Sequence, residues 1–125
     1  MAVWKPEQMN EAFATAYNSG DLDQLLALYE PTAIHVAKNK QIAKGIDEIR
    51  QDLQGLLALN GRMVSHNQYA IVNDDLALLQ AHFILKDIKS DEVLAEGITS
   101  EMIRKQTDGS WRYVVDHPFS TMPFN

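Results

Sequence analysis

The chain has 125 residues, 46% of them hydrophobic and 22% charged, which predicts one soluble globular domain able to bury its own core without a metal or a disulfide. It has no cysteine, which excludes disulfides, thiol nucleophiles, iron–sulfur clusters and cysteine-ligated zinc. A net charge of −6 without a basic run speaks against nucleic acid; no apolar run nears the ~20 residues of a membrane span and no signal peptide opens the chain, so a cytoplasmic protein is expected.

Pro6 suits a first helical turn, and Met9, Phe13, Ala16 and Tyr17 recur at helical spacing until Asn18-Ser19-Gly20 stops the helix. Asp21 is a plausible N-cap for a second helix, whose apolar face is Leu22, Leu25, Leu26, Leu28 and Tyr29 and which Pro31 ends. Residues 33–37 read as a short strand, and Lys38-Asn39-Lys40 as a polar turn. Gly45 opens a third helix with Asp47 and Glu48 in its first turn and a stripe of Ile46, Ile49, Leu53, Leu56 and Leu57, closed by Asn60-Gly61. Four long strands follow at 62–72, 76–87, 93–105 and 111–117, joined by short turn-rich connections of the kind antiparallel hairpins need. Helices before an antiparallel sheet make the class α+β. A curved sheet with three N-terminal helices packed on its concave face makes a cone whose interior suits a small ligand.

Particular strings sharpen this. Ala16-Tyr17-Asn18-Ser19-Gly20-Asp21-Leu22-Asp23, Lys44-Gly45-Ile46 with Ile49-Arg50, Asp75-Leu76-Ala77-Leu78-Leu79, and Asp108-Gly109-Ser110-Trp111-Arg112 through Asp116-His117 follow one another in an order that resembles the nuclear transport factor two-like superfamily. That superfamily includes ketosteroid isomerase and the SnoaL-like cyclases, and its cone is cystatin-like. The resemblance implies one SnoaL-like domain over residues 1–125, commonly a homodimer. It does not imply a function, because this fold hosts enzymes, binders and association modules.

In ketosteroid isomerase an aspartate base ends the first strand, and a helix tyrosine with a protonated aspartate forms the oxyanion hole. Aligned on Gly20-Asp21-Leu22-Asp23, the tyrosine falls at Phe13 and the base at Ala37, neither able to exchange a proton, while the oxyanion acid falls near Glu101. The same steroid reaction by the same residues is therefore not expected.

Other groups are candidates to replace them. Alternation puts Ala33 and His35 on the inward side with Ala37, and a histidine there can act as acid or base; the plain alternative is a core histidine bonded to backbone. Thr99, Glu101 and Ile103 share the inward parity of their strand, and a buried Glu101 would have a raised pKa; the alternative is an outward carboxylate paired with an arginine. Tyr17 lies one helical turn beyond Phe13 and is the third candidate catalytic group, or else a packed ring with a wetted tip. Asp116-His117 offers one group to the cavity and one to the chain end, or simple capping. Phe13, Ala37, Leu79, Phe83, Ile103, Trp111, Tyr113 and His117 are the expected ligand-contacting positions. His66 and His82 stand apart, the histidines form no H-x-H or H-E-x-x-H pattern, and no G-x-S-x-G elbow or phosphate-cradling loop is present, so neither a metal nor a cofactor is expected.

On 76–85 the opposite parity carries Leu78, Gln80, His82 and Ile84, and on the Glu101 strand Ile98, Ser100, Met102 and Arg104. A wet face this apolar predicts a partner, most simply a twofold homodimer through the outer sheet face. Three functions remain open: an acid/base enzyme of the isomerase, cyclase or dehydratase type on a small hydrophobic carbonyl compound, a non-catalytic ligand binder, and an association module.

Overall fold

The computed structural model describes residues 2–121. A 3-10 turn at Pro6–Gln8 leads into α1 (Met9–Ser19), and α2 (Leu22–Leu26) and α3 (Ile46–Ala58) complete the helices. The strands are β1 (Tyr29–Val36), β2 (Ile42–Lys44), β3 (Gly61–Asn73), β4 (Leu76–Asp87), β5 (Val93–Ile98), β6 (Ser100–Lys105) and β7 (Trp111–His117). They form one curved, unclosed sheet in the order β2-β1-β7-β6-β4-β3, with β5 continuing β6 along β4. The α+β cone expected from the sequence is the fold observed.

Local signals set the helices. Gly20 takes φ 76° and closes α1, and the Asp21 carboxylate accepts from the Asp23 and Gln24 amides at the start of α2. α3 turns Ile49 and Leu53 into the core that Leu79, Leu85 and Ile103 of the sheet also form. On β4, Ala77, Leu79, Ala81, Phe83 and Leu85 are buried while Leu78 is exposed, the period-2 alternation of a sheet with one covered face. Gly61 opens β3 because its backbone passes so close to Leu85 that a Cβ would lie 2.5 Å from Leu85 Cδ1.

Three differences from the sequence reading matter for the site. The second helix ends at Leu26, and the chain is already in β1 at Tyr29, two residues before Pro31. Tyr29 pairs with Tyr113, and the register shifts between Tyr29 and Ile34, the irregular stretch where a proline without an amide hydrogen is tolerated. Next, β1 and β7 are parallel, so the sheet is mixed rather than antiparallel. No hairpin joins these first and last long strands, so nothing local imposes an antiparallel partner. Last, the expected strand 93–105 is interrupted at Thr99. The Ala81 amide donates to the Thr99 hydroxyl (2.8 Å) instead of to a carbonyl, while the Thr99 amide still donates to the Ala81 carbonyl oxygen. The register on β4 is the same on both sides of the break, His82 facing Ile98 and Leu79 facing Glu101.

Candidate functional site

The sheet register brings three ionisable side chains into one row. His35 of β1 is the neighbour of Asp116 of β7, and Asp116 is the neighbour of Glu101 of β6. Cross-strand partners point to the same face, and this row lines a cavity of about 390 Å³ between the sheet and the helices. The rest of that wall is mainly apolar, with Phe13, Leu56, Met63, Phe83, Leu94 and Phe119 among its residues. That size and lining are those of a small-molecule pocket.

Glu101 is 2% exposed and its carboxyl is held at one oxygen. Thr99 Oγ1 donates to Glu101 Oε1 at 2.7 Å, and Asn10 Nδ2 donates to the same oxygen at 3.2 Å. Asn10 is itself oriented, since Tyr113 Oη donates to its Oδ1 at 2.7 Å and its Nδ2 also reaches Asn67 Oδ1. Burial pushes Glu101 well above the usual carboxylate range and the nearby Asp116 charge pushes it further; the Thr99 and Asn10 bonds oppose this to a smaller extent. Asp116, 5% exposed, is raised by burial and pulled back by His35, by the hydroxyl of Tyr29, which donates to Asp116 Oδ2, and by His117. The two carboxyls titrate as a coupled pair, and Glu101 is the one raised more strongly. Oε1 is taken by two donors, so when this carboxyl is protonated the proton belongs on Oε2, where it can be donated to a ligand. Tyr29 and Tyr113, both raised well above an ordinary phenol, mainly by burial, stay protonated.

His35 meets α3. Its Nδ1 lies 2.7 Å from Asp52 Oδ2, and both residues line the cavity. When the ring is neutral, a carboxylate at that distance selects the tautomer with hydrogen on Nδ1, which leaves a lone pair on Nε2. The site thus sets Glu101, a donor when protonated, and His35, an acceptor when neutral, on either side of Asp116.

The profile of the SnoaL-like domain matches residues 10–116, from the Asn10 that orients Glu101 to the Asp116 that faces it. The chain belongs to the SnoaL-like family. Solved structures agree on the fold of this SnoaL-like domain. A chain from Thiobacillus denitrificans, provisionally described as a calcium/calmodulin-dependent protein kinase type II association domain, is 17% identical with a TM-score of 0.80, over 95% of this chain and 98% of that one. A nuclear transport factor two-like protein with a cystatin-like fold from Novosphingobium aromaticivorans is 18% identical with a TM-score of 0.74, over 88% and 75%. A ketosteroid isomerase-like protein from Erwinia carotovora atroseptica is 19% identical with a TM-score of 0.69, over 89% of each chain. No curated protein matches this chain.

Of the positions expected from the sequence, Glu101, His35, Phe13, Ala37, Phe83 and Tyr113 line the cavity of this SnoaL-like domain. Tyr17 does not. Its hydroxyl donates to the Leu56 carbonyl oxygen at 2.8 Å and accepts from the Gly61 amide at 3.3 Å, so it fastens the end of α3 to the start of β3 instead of facing a ligand. Leu79 and Ile103 are fully buried core, and Trp111 packs in the core, its amide donating to the Val3 carbonyl oxygen, so none of the three reaches the cavity wall. His117 is also outside that wall; the strand alternates, and Asp116 has the inward position. Asn10, Tyr29 and Asp52 were missed. Asn10 lies three residues before Phe13 on one helical face, a signal that could have found it. Tyr29 was hidden by being assigned to a helix, and nothing local joins Asp52 to His35. Among the described residues, no group of three or more histidine, aspartate or glutamate side chains is placed to hold a metal ion.

Proposed function

We propose that this SnoaL-like domain binds a small, neutral, hydrophobic carbonyl compound in the cavity and moves a proton on it by acid/base chemistry, as an isomerase, cyclase or dehydratase. The observation that carries this is the Glu101 carboxyl, buried on the wall of a mainly apolar pocket with two donors on the same oxygen, Oε1. The ligand oxygen accepts that hydrogen bond. His35 Nε2 takes a proton from the carbon next to the carbonyl, the electron pair moves to the oxygen, and Glu101 steadies the enolate. Return of the proton to another carbon gives an isomer, whereas loss of a leaving group from the next carbon gives an elimination. Phe13 and Ala37, which carry no exchangeable proton, make this a different residue set from that of ketosteroid isomerase.

The test is a thermal shift of wild type and Glu101→Gln against cyclic ketones, steroids and polyketide-like aromatics. A ligand at a hundred times its dissociation constant adds ~2.7 kcal/mol of stability. The expected result is a shift that shrinks in Glu101→Gln, with deuterium uptake beside the carbonyl of the bound ketone. Shifts of equal size in both proteins, without uptake, would reduce the domain to a non-catalytic binder.

A homodimer through the outer sheet face belongs to the same reading. Ile71, Leu78 and Met102 are consecutive register neighbours on β3, β4 and β6, and they are 59%, 40% and 41% exposed. An apolar row across three strands supports a face-to-face pair. If no ligand is found, association through this row becomes the leading function. The reading keeps the cytoplasm as the location.

A further inference from the structure

The C-terminal turn makes one wall of the cavity. Pro118 and Phe119 line it, and Ser120 latches the turn to β5 twice, its amide (3.0 Å) and its hydroxyl (2.9 Å) both donating to the Ile98 carbonyl oxygen. The Phe119 ring meets Phe83 edge-on, 5.5 Å between centroids. Beneath this turn is Gly97, the register partner of Phe83. A Cβ on Gly97 would stand 2.7 Å from the Pro118 carbonyl oxygen, 2.9 Å from Phe83 Cε1 and 3.2 Å from Phe119 Cδ1. Gly97 is not among the residues with positive φ, so glycine is needed there for room and not for backbone freedom.

This wall is far from the acid. Phe83 lies four residues along β4 from Leu79, the register partner of Glu101. At ~3.4 Å per residue the two positions are roughly 14 Å apart. Leu79, Ala81 and Phe83 share the inward face, so the Phe83–Phe119 pair stands along the cavity floor from Glu101.

We propose that Phe119, seated on Gly97, sets how long a ligand the cavity accepts: the ligand oxygen lies at Glu101 and its apolar end stops against the Phe119 ring. This rests on the carbonyl-binding reading above.

Two series of probes separate the failure of one from the failure of the other. Alkan-2-ones of increasing length, and n-alkylbenzenes without oxygen, are titrated into wild type, Phe119→Ala, Phe119→Trp and Gly97→Ala. Affinity rises about fourfold per buried methylene until the chain meets the wall, then levels. Phe119→Ala moves that plateau to chains longer by about two carbons, and Phe119→Trp moves it shorter by about one. Gly97→Ala follows Phe119→Ala, because its methyl group lifts the turn. Displacements of opposite sign cannot come from a general loss of stability. An unchanged plateau in all three variants overturns the proposal. Plateau shifts with both series, but no preference for the ketones, keep the wall and overturn the carbonyl reading. Binding of neither series overturns both.

Discussion

Glu101 and Asp116 stand opposite each other on β6 and β7, both nearly sealed from solvent and both facing one cavity. Burial raises both pKa values, and the Asp116 charge raises that of Glu101 further. A carboxyl whose folded pKa exceeds its unfolded value contributes stability below the ordinary carboxylate range and loses it as pH climbs toward the raised value. Glu101→Gln keeps the shape and cannot ionise. Its melting temperature relative to wild type should therefore rise as pH climbs above the ordinary glutamate range of about 4, with the smallest difference at the acid end. A difference that stays flat above that range would mean that Glu101 titrates as an exposed glutamate does.

Thr99 has two tasks that valine, of the same shape, cannot perform. Its hydroxyl accepts the Ala81 amide and donates to Glu101 Oε1. Thr99→Val should cost ~1–3 kcal/mol by leaving the buried Ala81 amide without a partner. It should also steepen the pH dependence of stability, because one of the bonds that lowers the Glu101 pKa is gone. Urea melts at two pH values measure both.

Tyr17 separates structure from catalysis. Tyr17→Phe removes the bonds to the Leu56 carbonyl oxygen and the Gly61 amide. The expected outcome is a loss of ~1–2 kcal/mol in denaturant melts, with ligand affinity and proton exchange unchanged. If exchange on a bound ketone fell instead, Tyr17 would have to be returned to the list of catalytic groups.

Asp52 positions His35 from another element. In wild type the ring nitrogens of His35 should show the tautomer with hydrogen on Nδ1, because Asp52 Oδ2 is 2.7 Å away. Asp52→Asn should redistribute the tautomers, visible in ring nitrogen chemical shifts without any ligand. His35→Gln should lower deuterium exchange of a bound ketone about a hundredfold or more. An undisturbed tautomer in Asp52→Asn would detach Asp52 from the site.

The outer row has its own test. Leu78→Glu with Met102→Glu puts like charges side by side on register partners of an exposed face. Sedimentation equilibrium should then show monomer where wild type shows dimer, while the cavity, on the other face, keeps its ligand. A wild-type chain that sediments as a monomer would remove the dimer from the reading.

Local chemistry settled a good deal before any tertiary contact was known. Asp21 and Gly20 bound their helices through backbone groups within a few residues, and the period-2 alternation put His35, Ala37, Glu101 and Phe83 on the inner side, where they are found. These signals survive folding because they depend on neighbours in the chain. The remainder of the site depends on partners far apart in sequence. Tyr29 fits a helical stripe as well as a strand, and only its pairing with Tyr113 and its bond to Asp116 place it in β1. Tyr17 and Tyr113 look alike in sequence, yet one hydroxyl finds a backbone carbonyl and the other finds Asn10. The parallel meeting of β1 with β7 sets His35 beside Asp116, α3 brings Asp52 to His35, and the space over Gly97 seats Phe119. Each of these joins segments that no turn connects, so which side chains converge on the cavity was decided by sheet register and packing.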